Sequence, residues 1–109
     1  MDEYLGVIKL FAGNFAPVGW LFCQGQTLPI QQYAALFSLL GATYGGNGNT
    51  TFCLPDLRGF IPIGAGDRPG YSSVPQGSVG SLTSHGTRNI GTLGMNYIIC
   101  VEGLYPQRP

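Results

Sequence analysis

The chain has 109 residues, of which 9% are charged, and five acidic residues balance five basic ones. A basic surface for nucleic acid is therefore excluded as the main function, because such binding depends on clustered Lys and Arg. Glycine and proline are abundant, at 18 and 8 residues, but six Phe, six Tyr and one Trp supply the large apolar side chains that disordered chains lack. We therefore expect one folded domain, residues 1–109, that is rich in turns.

The first half of the sequence predicts two short strands and one helix. The strands are expected over residues 4–11 and 20–23, and we expect Trp20 to be buried. Apolar residues then recur at the spacing of one helix face, which predicts a helix from about residue 30 to residue 40. Gly41 supplies its C-terminal stop.

Three further strands are predicted, over residues 51–54, 60–63 and 97–101, because these segments are rich in β-branched and aromatic side chains. The last one is almost entirely apolar and needs cover on both faces. We therefore expect the C-terminal strand, near 96–102, to pair with the N-terminal one. The predicted fold class is α+β, mostly β, with short strands around the helix at about 30–40 and a Gly-rich irregular C-terminal half.

Residues 67–93 form a long loop region rich in Gly, Ser and Thr. Loops of this length inside a compact domain are usually functional, disordered, or ordered by a partner chain. The few aliphatic residues of this stretch cannot form a core of their own. We expect Asp67–Leu93 to take its order from other chains or from a ligand.

The chain offers little for catalysis or metal binding. His85 is its only histidine and lacks a second ligand nearby, and no Gly-x-Ser-x-Gly motif is present. The chain has three cysteines, Cys23, Cys53 and Cys100, and all lie in apolar segments, which favours buried thiols. The alternative is one disulfide between two of them, with the third cysteine free. We expect a protein that is not an enzyme and that uses no cofactor.

The segment Leu54-Pro55-Asp56-Leu57-Arg58-Gly59 places two opposite charges two residues apart. We interpret Asp56, Arg58 and Gly59 as a structural motif, in which the Asp56–Arg58 pair fixes the chain reversal between a strand ending at Leu54 and one beginning at Phe60.

Several motifs together make the sequence similar to a known family. They are Tyr4-Leu5-Gly6-x-Ile8-x-Leu10-Phe11-Ala12-Gly13, Pro17-x-Gly19-Trp20, Cys23-x-Gly25-Gln26, Leu28-Pro29-Ile30, Ala35-Leu36-Phe37-Ser38-Leu39-Leu40-Gly41, Thr43-Tyr44-Gly45-Gly46, Leu54-Pro55-Asp56-Leu57-Arg58-Gly59 and Asn96-Tyr97-Ile98-Ile99-Cys100. The combination resembles the phage tail collar domain family, and most of all its short members labelled microcystin-dependent proteins.

The resemblance implies a non-catalytic component of the virion tail or of an extracellular appendage, in a tail fibre, tail tip or baseplate, that supports attachment to a host receptor. It implies a homo-oligomer, with a trimer favoured, and neighbouring tail proteins as partners. Relatives usually carry a longer insertion with a Ser-His-Thr-His type stretch, of which only Ser84-His85-Gly86 remains here. In a trimer, the three copies of His85 could meet at the axis and bind a metal ion. This is the one metal site that the sequence still allows.

The alternative function is a small glycan-binding adhesin or lectin-like module. Aromatic rings can stack on sugars beside amide and charged groups. The candidate contacts are Tyr44, Asn47, Asn49, Asp67, Arg68 and Tyr71. No apolar run is long enough to cross a membrane, and the first residues lack the basic region of a secretory signal peptide.

Overall fold

The computed structural model describes residues 3–81 and 90–109. Its elements are, in chain order, β1 (Ile8–Phe11), β2 (Trp20–Phe22), β3 (Thr27–Pro29), α1 (Ala34–Leu40), β4 (Thr51–Cys53) and β5 (Asn96–Cys100). The strands form one three-stranded sheet in the order β1-β5-β2 and one two-stranded sheet, β3-β4. All three strand pairs are antiparallel. The expected small α+β fold with one helix is confirmed.

The last strand, β5, lies in the centre of the three-stranded sheet. Ile99 pairs with Ile8 of β1 on one side and with Leu21 of β2 on the other. Neighbouring residues of β5 point to opposite faces, so Ile98 packs with Trp20 in a small cluster while Ile99 belongs to the main core. The predicted pairing of the C-terminal strand with the N-terminal one is confirmed, and so is the burial of Trp20.

The main core joins the two sheets to the helix. Its buried members are Leu5, Cys23, Leu28, Leu36, Phe52, Leu54, Ile99 and Val101. The Phe52 side chain, from β4, has no exposed surface, and its ring packs at a tilt on the ring of Phe37 with the centroids 5.5 Å apart. The helix therefore covers the two-stranded sheet through an aromatic pair.

The helix begins at Ala34, later than the predicted start near residue 30. The backbone of Tyr33, at φ −124° and ψ 43°, is not helical, and no side chain caps the first turn. Residues 30–32 instead form a turn, in which the Tyr33 N–H donates to the carbonyls of Pro29 and Ile30. The helix ends at Leu40 as predicted, and the Gly41 N–H donates to the Phe37 carbonyl at 2.7 Å.

The strand predictions need three corrections. The first strand begins at Ile8 rather than Tyr4, because a turn at Leu5 and Gly6 precedes it. The strand predicted over Phe60–Ile63 is wrong: that segment has no strand beside it among the described residues, and its side chains face outward. The short strand β3 was not predicted. Within the described part of the chain, no helix is long and apolar enough to cross a membrane.

Candidate interaction site

The Asp56–Arg58 pair is a short, two-point ion pair at the surface. Arg58 donates from Nε to Asp56 Oδ1 at 2.9 Å and from Nη2 to Oδ2 at 2.7 Å, and its backbone N–H donates to Oδ1 at 3.2 Å. These bonds to Arg58 lower the pKa of Asp56 to about 2. The carboxylate is therefore charged at neutral pH and fully engaged by its neighbour.

Backbone hydrogen bonds connect the turn that carries this pair to the core. The Leu57 N–H donates to the Cys23 carbonyl at 3.0 Å, and the Phe60 N–H closes the turn on the Leu57 carbonyl at 3.1 Å. Gly59 has φ +73°, a conformation that side chains disfavour. The pairing of Asp56 with Arg58 is as expected, but the chain that leaves this turn enters no strand. Beside Arg58, a pocket of about 30 Å³ has room for about one water.

Asn47 organises the loop between the helix and β4. Its Oδ1 accepts the backbone N–H groups of Asn49 and Thr50, both at 2.8 Å, and that of Thr51 at 3.1 Å. Its Nδ2 donates to the Thr50 hydroxyl at 2.9 Å. Most of the hydrogen-bonding groups of the Asn47 side chain are thus engaged within the loop. The exposed side chain of Asn49 takes no part in the hydrogen bonds that hold the loop. Both residues remain candidate ligand contacts.

The remaining candidates lie on a second loop. Backbone hydrogen bonds between Gly66 and Val74, at 2.7 and 3.0 Å, close this loop. At its tip the guanidinium of Arg68 lies 4.5 Å from the ring centroid of Tyr71, which is 67% exposed. Asp67 is exposed beside them. One face of the Tyr71 ring is therefore taken by a cation, and the loop presents aromatic, cationic and carboxylate groups together.

A side-chain hydrogen bond joins the first loop to the segment that follows the second loop. The half-buried Tyr44 accepts a hydrogen bond at its hydroxyl from Gln76 Nε2, at 3.2 Å. The structure thus places Tyr44 with Asn47 and Asn49 on one loop and Asp67, Arg68 and Tyr71 on another.

An open cleft of about 1060 Å³ lies beside these loops, and we call it the lateral cleft. The segments 59–65 and 74–81 form two of its walls, and Ile8, Tyr44 and the Asp56 turn lie on the side of the core. The sequence did not predict this feature, because the apolar run that forms one wall was predicted to be a strand.

Cys23 and Cys100 are buried, Cys53 is half-buried, and all three are free thiols, so the open question of a disulfide within this set is answered. Among the described residues no three metal-binding side chains lie together. His85 lies outside the described residues.

Comparison with protein-family models matches residues 6–62 to the phage tail collar domain. The chain belongs to the phage tail collar domain family. The match includes strands β1 to β4, the helix and the Asp56–Arg58 turn, while β5 and the loop closed by Gly66 and Val74 lie outside it. Membership of the collar family indicates a structural component of a phage tail, located in the virion tail. No curated protein sequence matches the chain.

Proposed function

We propose that this chain is a non-catalytic building block of a tail fibre, tail tip or baseplate, or of a related extracellular appendage, and that it supports attachment to the host receptor. The observation that carries the proposal is the collar match over residues 6–62, which contains most of the buried core.

The surface supports an assembly role. Exposed apolar side chains are numerous in a chain with only 9% charged residues, among them Phe60, Ile61, Ile63 and Val79. A protein that works as a free monomer normally carries a more charged, patch-free surface. The partners that we propose are further copies of the chain, with a trimer favoured, and neighbouring tail proteins.

The expectation that Asp67–Leu93 takes its order from other chains or from a ligand stays a prediction. In its described parts, 67–81 and 90–93, every residue except Val74 is exposed. Because these residues are exposed, they make few packing contacts with the rest of the chain. This supports the idea that contacts with a partner order the segment.

The assembly role can be tested by purifying the phage or appendage particles from two strains, one that carries the gene for this chain and one that lacks it. Mass spectrometry should find the chain in the particles, and particles that lack it should be incomplete or adsorb less to host cells. Absence of the chain from purified particles would overturn the proposal.

Glycan binding is the second candidate, favoured by the exposed Tyr71 ring beside Arg68 and Asp67. A glycan array with the wild-type chain and with Tyr71→Ala tests it. Binding that the variant loses supports a lectin-like module, and no binding by the wild type argues against it.

A further inference from the structure

We propose that the lateral cleft binds the segment Phe60–Ile63 of a second copy of this chain. The inference rests on the proposed assembly role and names the surface through which the copies meet. Three observations support it: the largely apolar lining of the cleft, the exposed side chains and free backbone groups of Phe60–Ile63, and the large surface that the single chain leaves exposed.

The cleft suits an uncharged apolar insert. Its apolar lining includes Ile8, Val74 and Val79, and among the described residues Asp56 is the only acidic or basic one that lines it. That carboxylate is already neutralised by Arg58 at 2.7 Å. An apolar insert would therefore bury no unpaired charge here, which is the main cost of closing an interface of this kind.

The segment Phe60–Ile63 has the properties of such an insert. Phe60, Ile61 and Ile63 are 47%, 70% and 61% exposed, so their apolar surface is covered only in part. From Ile61 to Ala65 the backbone makes no hydrogen bond to other described residues. Pro62 has no backbone N–H, but the other backbone groups over this stretch are free to pair with another chain along one edge.

The exposed area of the chain fits an incomplete unit. Its accessible surface is 8240 Å², against roughly 5,800 Å² for a compact monomer of 11.6 kDa. The radius of gyration is 15.7 Å, against about 13 Å for a domain of this length. Part of the excess of roughly 2,400 Å² comes from the exposed residues 66–73, 75–81 and 90–95, and the partly exposed side chains of Phe60–Ile63 contribute to it as well.

A second copy is the occupant that these features favour. Each chain carries both the cleft and the insert, so each copy can place Phe60–Ile63 in the cleft of the next copy, and three such contacts can close a trimeric ring. The formal net charge of zero leaves no overall repulsion between copies. A charged partner would need charged groups in the cleft, and the one charged lining residue among those described, Asp56, is already paired with Arg58.

The first test compares the wild-type chain with Ile61→Asp by sedimentation and light scattering over a range of concentrations. Ile61 is exposed, so the substitution should leave the single chain folded. We expect the wild type to associate and the variant to have a dissociation constant at least about 100-fold higher, because the interface would bury a charge. A monomeric wild type, or equal association of both proteins, would overturn the proposal.

Val18→Asp is the matched control. Val18 is 93% exposed and lies outside the cleft, so this variant introduces the same charge at a surface that the proposal leaves free. It should associate like the wild type. Equal weakening by both substitutions would show that association follows overall charge rather than the cleft.

Cross-linking locates the contact directly. Co-expressed Ile63→Cys and Val79→Cys chains should form a disulfide between the two new cysteines, identified by peptide mass spectrometry, and Val18→Cys should form none with either. Absence of the 63–79 link would reject this interface. A wild type that associates but is missing from purified particles would instead reject the proposed function and leave the interface standing.

Discussion

Ile98 and Ile99 are neighbours in the central strand, yet they are buried in different clusters on opposite faces of the sheet. Ile98 is 5% exposed and packs with Trp20, and Ile99 is fully buried in the main core. The sheet therefore has an apolar layer on each face, and a substitution at either position affects a different part of the packing.

Ile99→Ala should lower the free energy of unfolding by about 2–5 kcal/mol, because it leaves a cavity in the core between the sheet and the helix. Urea denaturation followed by far-UV circular dichroism measures the change. Val18→Ala, at an exposed turn, should change it by no more than about 0.5 kcal/mol. Similar values for the two variants would contradict the assigned core.

Gly46→Ala should destabilise the protein more than Gly59→Ala. Both glycines have positive φ, at +90° and +73°, so each alanine costs about 1–2 kcal/mol in backbone conformation. A Cβ at Gly59 meets open space, whereas one at Gly46 would contact Phe52 Cα and lie 2.6 Å from the Thr51 carbonyl oxygen. Overpacking should add roughly 1–3 kcal/mol at Gly46 alone. Equal losses in thermal denaturation would reject this close approach.

Asn47→Ala should lower stability by about 1 kcal/mol, because three backbone N–H groups lose their acceptor. Asn47→Asp should be close to the wild type, since a carboxylate accepts the same bonds. Asn49→Ala provides the control, because only its backbone takes part in the loop. Chemical denaturation of the three variants checks the order, and an effect of Asn49→Ala as large as that of Asn47→Ala would contradict it.

The Asp56–Arg58 pair should make stability depend on acidic pH. The pKa of Asp56 is about 2 in the folded chain and about 3.9 in an unfolded one, so the unfolded state takes up the proton first. The contribution is complete above about pH 4 and is lost as the pH falls toward 2. Asp56→Asn should remove this part of the pH dependence. An unchanged difference between variant and wild type from pH 6 to pH 2 would contradict the pairing.

The three thiols should react in a set order. Burial raises the pKa of Cys23 to about 12 and also raises the pKa of Cys100, so both are protonated and shielded at neutral pH. Cys53 is only half-buried. Alkylation followed by mass spectrometry should label Cys53 first, and Cys23 and Cys100 only after unfolding in urea. Rapid labelling of Cys23 in the native chain would contradict its burial.

The sequence predicted the helix end, the strands around Trp20 and Ile99, and the Asp56–Arg58 pair, because each depends on local patterns or on one strongly apolar run. It could not predict that Phe60–Ile63 lies at the surface. Its composition is typical of a strand, and only the three-dimensional structure shows that the described part of its own chain provides no strand beside it. Likewise, Asn47 and Tyr71 were both predicted as ligand contacts because of their residue types. Residue type and spacing do not show that the Asn47 side chain forms hydrogen bonds within its own loop.

The position of β5 also determines when the protein can fold. β1 and β2 do not pair with each other, and both pair with β5, which comes much later in the sequence. During synthesis neither can join its sheet until residues 96–100 have left the ribosome. The three-stranded sheet can therefore form only after residues 96–100 have been translated, through contacts between distant parts of the sequence that make folding slow. Until then the apolar strands near the N-terminus are open to wrong partners.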